Sequence, residues 1–174
     1  NVLETSVLWR RAADRRLAAI ATWPLAMNTA PAHFGERGDQ AAELVTAHRL
    51  TRDPRYLDAI VRVSQPAMGN NPANASYTWG LGARHVRTFQ LSPNCDSTPF
   101  PAGITTYGYF PRFTWGAEGV EKALGDVLYP AWSEWPAPES IFNIRNASLT
   151  EYAIGSLGQV LLARAYLAQA FATP

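Results

Sequence analysis

Between Glu151 and Arg164 the chain carries no charge, and the stretch EYAIGSLGQVLLARAYLAQAF is apolar nearly all round. This feature constrains the fold most. Its pattern predicts a helix over 149–171, rich in small residues at Gly155, Gly158, Ala163, Ala165 and Ala168. Small residues let neighbouring elements approach closely, and a helix without a polar face has to be covered on every side. Lipid cannot supply that cover. The longest apolar run, 152–163, is 12 residues, against roughly 20 needed to span a bilayer. Other helices are therefore expected around it, and no transmembrane segment.

Three further helical stretches can supply that layer. Residues 4–21 place Val7, Leu8, Ala12, Leu17 and Ile20 among arginines, an amphipathic pattern. Residues 38–50 and 54–68 read as an antiparallel pair across the turn TRDP, with Asp53 as N-cap and Pro54 at the first helical position. Gly69-Asn70-Asn71-Pro72 stops the second of them. Short connections between helices with one buried face predict an all-α, layered or barrel fold. With 174 residues, 47% apolar, 17% charged and six Trp, the chain is too hydrophobic for disorder and fits a single domain over 1–174.

Several function classes drop out. The net charge is +1 and the basic residues are scattered as pairs among apolar positions, so no phosphate-binding stripe forms and nucleic acid is not an expected partner. Cys95 stands alone, without an internal disulfide partner or zinc-ligand spacing. No P-loop, dinucleotide fingerprint or GxSxG elbow occurs, and Gly80-Leu81-Gly82 lacks a preceding strand. No cofactor is implied. The opening NVLETSVLWRRAADRR puts charges where a signal peptide needs an apolar stretch, lacks an initiator Met and begins inside a helical pattern, which predicts a mature or partial chain.

Between Gly69 and Glu118 the composition changes to Gly, Pro, Asn, Ser and aromatics. A loop this long in a compact domain is usually functional. It carries Tyr77, Trp79, Arg84, His85, Arg87, Asp96, Tyr107, Tyr109 and Trp115. A second loop over 129–143 adds Trp132, Trp135 and Glu139. Aromatic rings stack on the C–H faces of sugars, and sugar hydroxyls take charged or amide partners, so a saccharide cleft is expected. The alternative is that many of these rings simply pin the loops down.

The ordered segments also resemble a known family. DPRYLDAIVRVSQPAMGNNPANASYTWGLGARH resembles the part of glycoside hydrolase family 9 where a helix ends in a GxNP turn before a Ser-Tyr-x-x-Gly-x-Gly loop. HFGERGDQAAELVTAHRLTRDPRYLDA resembles the helix pair before it, and SLTEYAIGSLGQVLLARAYLAQ the final helix. The resemblance covers most of the chain in the right order. It implies an (α/α)6 barrel of which this chain is the C-terminal portion, the remainder or a partner chain covering the apolar helix faces. It also implies inverting hydrolysis of β-linked saccharides in an extracellular or periplasmic setting. The general acid then falls on Glu151, and the sugar contacts on Tyr77, Trp79, Arg84, His85, Tyr107, Trp135 and Glu139. Family members often bind calcium, and no carboxylate cluster here calls for it.

Glu151 has two readings. Ser148-Leu149-Thr150-Glu151 fits S-x-x-E, a capping box closing the helix N-terminus, and on the tetrapeptide alone that is the simpler one. As an acid, Glu151 needs a raised pKa from apolar and aromatic neighbours such as Tyr152 and Trp135, against the opposing helix dipole. The sequence departs from the family in two places. ARHVRTFQLSPNCDS stands where the family has a His-His-Arg, and the DAGD-like motif bearing the catalytic base is absent. Asp39, Asp53 and Asp58 read as solvated positions or caps, and Asp14 sits in the ion-pair run RRAADRR. The other outcome is a non-catalytic carbohydrate-binding or structural helical subunit of a larger assembly that has lost the base.

Overall fold

The computed structural model describes residues 2–26, 41–90, 101–108, 117–147 and 149–172. These are mostly helical, with only two isolated β-bridges and no sheet among them. Five α-helices occur: α1 (Val2–Thr22), α2 (Ala42–Thr51), α3 (Pro54–Ser64), α4 (Ala117–Leu124) and α5 (Ile154–Phe171).

α3 has the clearest sequence logic. Tyr56, Ala59, Ile60, Val63 and Ser64 are buried at i, i+3, i+4, i+7 and i+8, one helical face, while Arg55 and Arg62 stay outside. Asp53 caps it as expected: its carboxylate accepts the Arg55 backbone N–H at 3.0 Å, ahead of Pro54. Arg52, left-handed at φ 60°, ends α2 and returns its N–H to His48 O. α3 stops at Ser64 rather than running to 68, because Pro66 has no N–H to continue the ladder. A 3₁₀ turn over Pro66–Met68 follows, closed by Gly69 at φ 118°. Asn71 then fixes the GxNP turn, its buried amide donating to Pro66 O at 2.6 Å and Ala75 O at 2.8 Å.

α1, α2, α3 and the C-terminal half of α5 share one core, with Ile20, Leu44, Tyr56, Ile60 and Ala163 at its centre. Polar contacts set the register between helices. Arg16 pairs with Glu43 at 3.2 Å, and Tyr56 Oη donates to Asp14 Oδ1 at 2.9 Å, so Asp14 accepts from a core tyrosine rather than serving only its own arginine run. His48 Nδ1 lies 2.6 Å from Tyr166 Oη across α2 and α5. Burial, reinforced by Arg52, holds that imidazole below its ordinary pKa.

Three expectations change. Val7 and Leu8 of α1 are exposed; its core face is Ala13, Leu17 and Ile20, at i, i+4 and i+7. α5 begins at Ile154, not 149. Among the described residues it is not covered all round either, since Leu161 and Phe171 are 67% and 66% exposed. α4 was not predicted from sequence. It packs Val120 against Trp132 and Leu149 in a second core, joined by Trp135, Phe142 and Ile144. Asp39, Asp96, Tyr109 and Trp115 lie outside the described residues.

Candidate functional site

The site begins where distant segments meet. Ser76 N–H donates to Arg84 O (2.9 Å) and Val86 N–H returns to Ser76 O (3.0 Å), which fixes the backbone of 84–86. Trp79 N–H to Ile104 O (2.8 Å) and Thr106 N–H to Tyr77 O (2.9 Å) add the 104–106 segment. That segment then reaches Glu151: Tyr107 N–H donates to Glu151 O at 3.1 Å, Gly108 N–H to Leu149 O at 2.9 Å, and Gln90 N–H to Thr150 O at 3.1 Å. Residues 149–151 are thus held from two sides by the loops that follow α3.

Gly108 shows why the fit is close. It sits at φ 92°, where side chains are strained, and a Cβ there would run into the ring of Tyr77. Tyr77 is correspondingly buried, against Ala67 and Ile141.

Above this junction lies a cavity of about 410 Å³ whose lining includes Tyr77, Arg84, His85, Arg87, Asn143 and Thr150. Asn143 draws the 129–147 loop into it, accepting the backbone N–H groups of Arg87 and Thr88 at 3.0 Å each. Thr150 Oγ1 donates to Ile144 O at 2.6 Å. A second cavity, about 630 Å³ and almost wholly apolar, lies against α5, with Trp79, Leu81, Leu167 and Phe171 in its wall. At its edge Arg164 donates to Thr78 Oγ1 (3.0 Å) and Thr105 Oγ1 (3.4 Å), tying α5 to the loop bridge. The two cavities are neighbours: Trp79, in the wall of the second, meets His85 of the first edge-on, with ring centroids 5.0 Å apart. From Trp79 the edge-to-face contacts continue to Phe89 and then to Tyr152, the residue after Glu151.

Glu151 is half-buried, and its Oε2 is shut off from solvent with no hydrogen-bond partner among the described residues. Burial raises its pKa, as an uncompensated carboxylate in a desolvated position requires. The capping box does not form on α5. That helix starts three residues after Glu151 and its N-cap residue, Ala153, makes no side-chain cap; Ser148, the other member of the expected box, lies outside the described residues. Because Glu151 stands ahead of the helix in non-helical chain, the dipole expected to oppose a raised pKa acts on it less. Its carboxylate lines neither of the two cavities.

Of the seven predicted sugar contacts, the structure brings Tyr77, Arg84 and His85 together in one cavity and Trp79 beside them. Tyr107 is buried, and its backbone pairs with Glu151. Trp135 and Glu139 stand apart. Trp135 packs in the second core and donates Nε1–H to Pro130 O at 2.9 Å; Glu139 is exposed on a 3₁₀ turn; neither lines the two cavities. Trp132 likewise pins its loop, donating to Ser140 Oγ at 2.8 Å. Arg87, Asn143 and Thr150 add further polar groups to the lining. Asn143 had no local signal, because the backbone groups it holds are 55 and 56 residues away.

Among the described residues no group of three or more His, Cys, Asp or Glu stands together to hold a metal ion, and no helix is long and apolar enough to cross a membrane. The chain matches no protein-family model, and a search of curated proteins finds no significant match.

Proposed function

We propose that this chain supplies the proton donor and part of the sugar cleft of an inverting β-glycosidase resembling glycoside hydrolase family 9, built on part of an (α/α)6 barrel. The observation that carries the reading is Glu151: a carboxyl with a buried, unpartnered oxygen and a pKa raised by burial, on the segment that contributes Thr150 to a cavity rich in hydrogen-bonding groups. A general acid must be protonated at working pH, and desolvation without a compensating cation favours that state. In the reaction Glu151 gives its proton to the glycosidic oxygen as the bond to the anomeric carbon breaks. A second, ionised carboxylate takes a proton from the water attacking the opposite face. The cavity's Arg84, His85, Arg87 and Asn143 serve sugar hydroxyls, while Ile141 and Phe142 offer apolar surface to the ring faces.

The base is the missing member. No Asp or Glu is among the described residues lining the two cavities, and Asp39 and Asp96 lie outside the described residues. That same observation favours the second reading, a carbohydrate-binding subunit without hydrolysis. Glu151→Gln separates the two. The catalytic reading predicts a loss on the order of 10²–10⁴ in the hydrolysis of β-linked oligosaccharides by the native protein, with binding retained. An unchanged rate in the variant ends the assignment of Glu151. Binding without turnover in both forms leaves the second reading, and no binding in either removes both.

A further inference from the structure

The lining of the 410 Å³ cavity is unbalanced in charge. Its basic side chains are Arg84, His85 and Arg87, and no described carboxylate is in the lining. Arg84 and Arg87 are exposed, and neither guanidinium meets a side-chain partner among the described residues. Both arginines are held in place by their backbones: Arg84 O accepts from Ser76 N–H, and Arg87 N–H is taken by Asn143 Oδ1.

Asn143 leans the same way. Asn143 spends its Oδ1 on the N–H groups of Arg87 and Thr88, so its remaining capacity is the pair of donors on Nδ2. His85 is the exception: its Nδ1 lies 3.3 Å from Gly82 O, which can only accept, and a proton on Nδ1 leaves Nε2 as an acceptor for one sugar hydroxyl. A neutral sugar presents hydroxyls that both donate and accept, and the two guanidinium groups and Asn143 Nδ2 can meet only their accepting side. A carboxylate only accepts, and it matches a planar guanidinium through two parallel hydrogen bonds.

We propose that the saccharide bound in this cavity is acidic, a chain carrying carboxylates of the uronic acid type, with Arg84 and Arg87 reading the carboxylate. The inference rests on the saccharide reading above and names its substrate class.

The test is calorimetric titration of the native protein with two oligosaccharides of the same linkage and length, one of glucose and one of glucuronic acid. The acidic chain should bind about tenfold more tightly or better at low salt. That margin should shrink as sodium chloride screens the arginines. In Arg84→Gln/Arg87→Gln the two chains should bind alike. Equal affinities in the unaltered protein overturn the inference and leave the saccharide reading standing, while no binding of either chain removes both. An acidic preference that persists at high salt, or in a double variant whose near-UV circular dichroism matches the parent, overturns the role of the arginines. Should that variant fail to fold, the salt series on the unaltered protein decides the question.

Discussion

Around Ile60 and Leu44, side chains of α1, α2, α3 and α5 bury one another at helical spacing, and polar contacts only set the register. Around Tyr77 the chain is held in another way. Segments as far apart as 76–79, 104–108 and 149–151 are joined by a few backbone hydrogen bonds each, a threonine pair at 2.8 Å and one arginine reaching from α5. The first region gains its stability from apolar area removed from water, which is non-directional and tolerant of small shifts. The second depends on directional bonds that fail together when one segment moves. The second is also where the cavity groups and the desolvated carboxylate sit. The helices serve as a foundation, and chemical specificity is placed on the part whose geometry is over-determined by hydrogen bonds.

The contrast can be broken at either end. Ile60→Ala should cost about 2–5 kcal/mol, because Ile60 is fully buried among four helices. Far-UV and near-UV circular dichroism should then fall at one lower denaturation midpoint, and separate midpoints would show that the loop layer does not stand on the helices. Gly108→Ala should cost about 1–3 kcal/mol through backbone strain and the encounter with Tyr77. Its signature is a changed near-UV spectrum with helix content intact, and an unchanged near-UV spectrum would contradict the packing described for Tyr77. Asn143→Ala removes the acceptor of two backbone N–H groups and should cost about 1 kcal/mol. Faster amide exchange at Arg87 and Thr88, with α3 unaffected, is the expected reading; equal protection in both forms would deny the link between the two loops.

The same contrast governs what the sequence discloses. α3 could be read down to its cap and its buried face because every signal lies within one helix: Asp53, Pro54 and apolar residues three and four apart. The sequence places the start of α5 five residues too early, because 149–153 runs into the helix without a breaker, whereas the carbonyls of 149–151 accept from Tyr107, Gly108 and Gln90 instead. Pattern cannot separate those two uses of the same residues. α4 is only eight residues long, too short for its pattern to stand out in the sequence. Within the site, Arg84 and His85 were legible as polar residues in an aromatic loop. Trp135 and Glu139 have the same appearance and went to packing and to solvent instead. Only the long-range hydrogen bonds distinguish these outcomes, and a single sequence does not encode them locally.

The central claim is that Glu151 carries a half-buried carboxyl whose pKa is raised by desolvation, and its own titration tests that most directly. The side-chain carboxyl carbon of Glu151, identified by its loss in Glu151→Gln, can be followed by nuclear magnetic resonance as pH is raised. The account predicts a midpoint above the ordinary glutamate range. It also fixes the sign for stability. The unfolded chain releases this proton at a lower pH than the native one, so stability falls as pH rises from the ordinary value through the native value. The lost increment stays lost above that point, and Glu151→Gln should therefore gain on the parent protein only on the high-pH side. A midpoint at or below the ordinary glutamate value, with the two proteins differing equally at all pH values, would contradict the account.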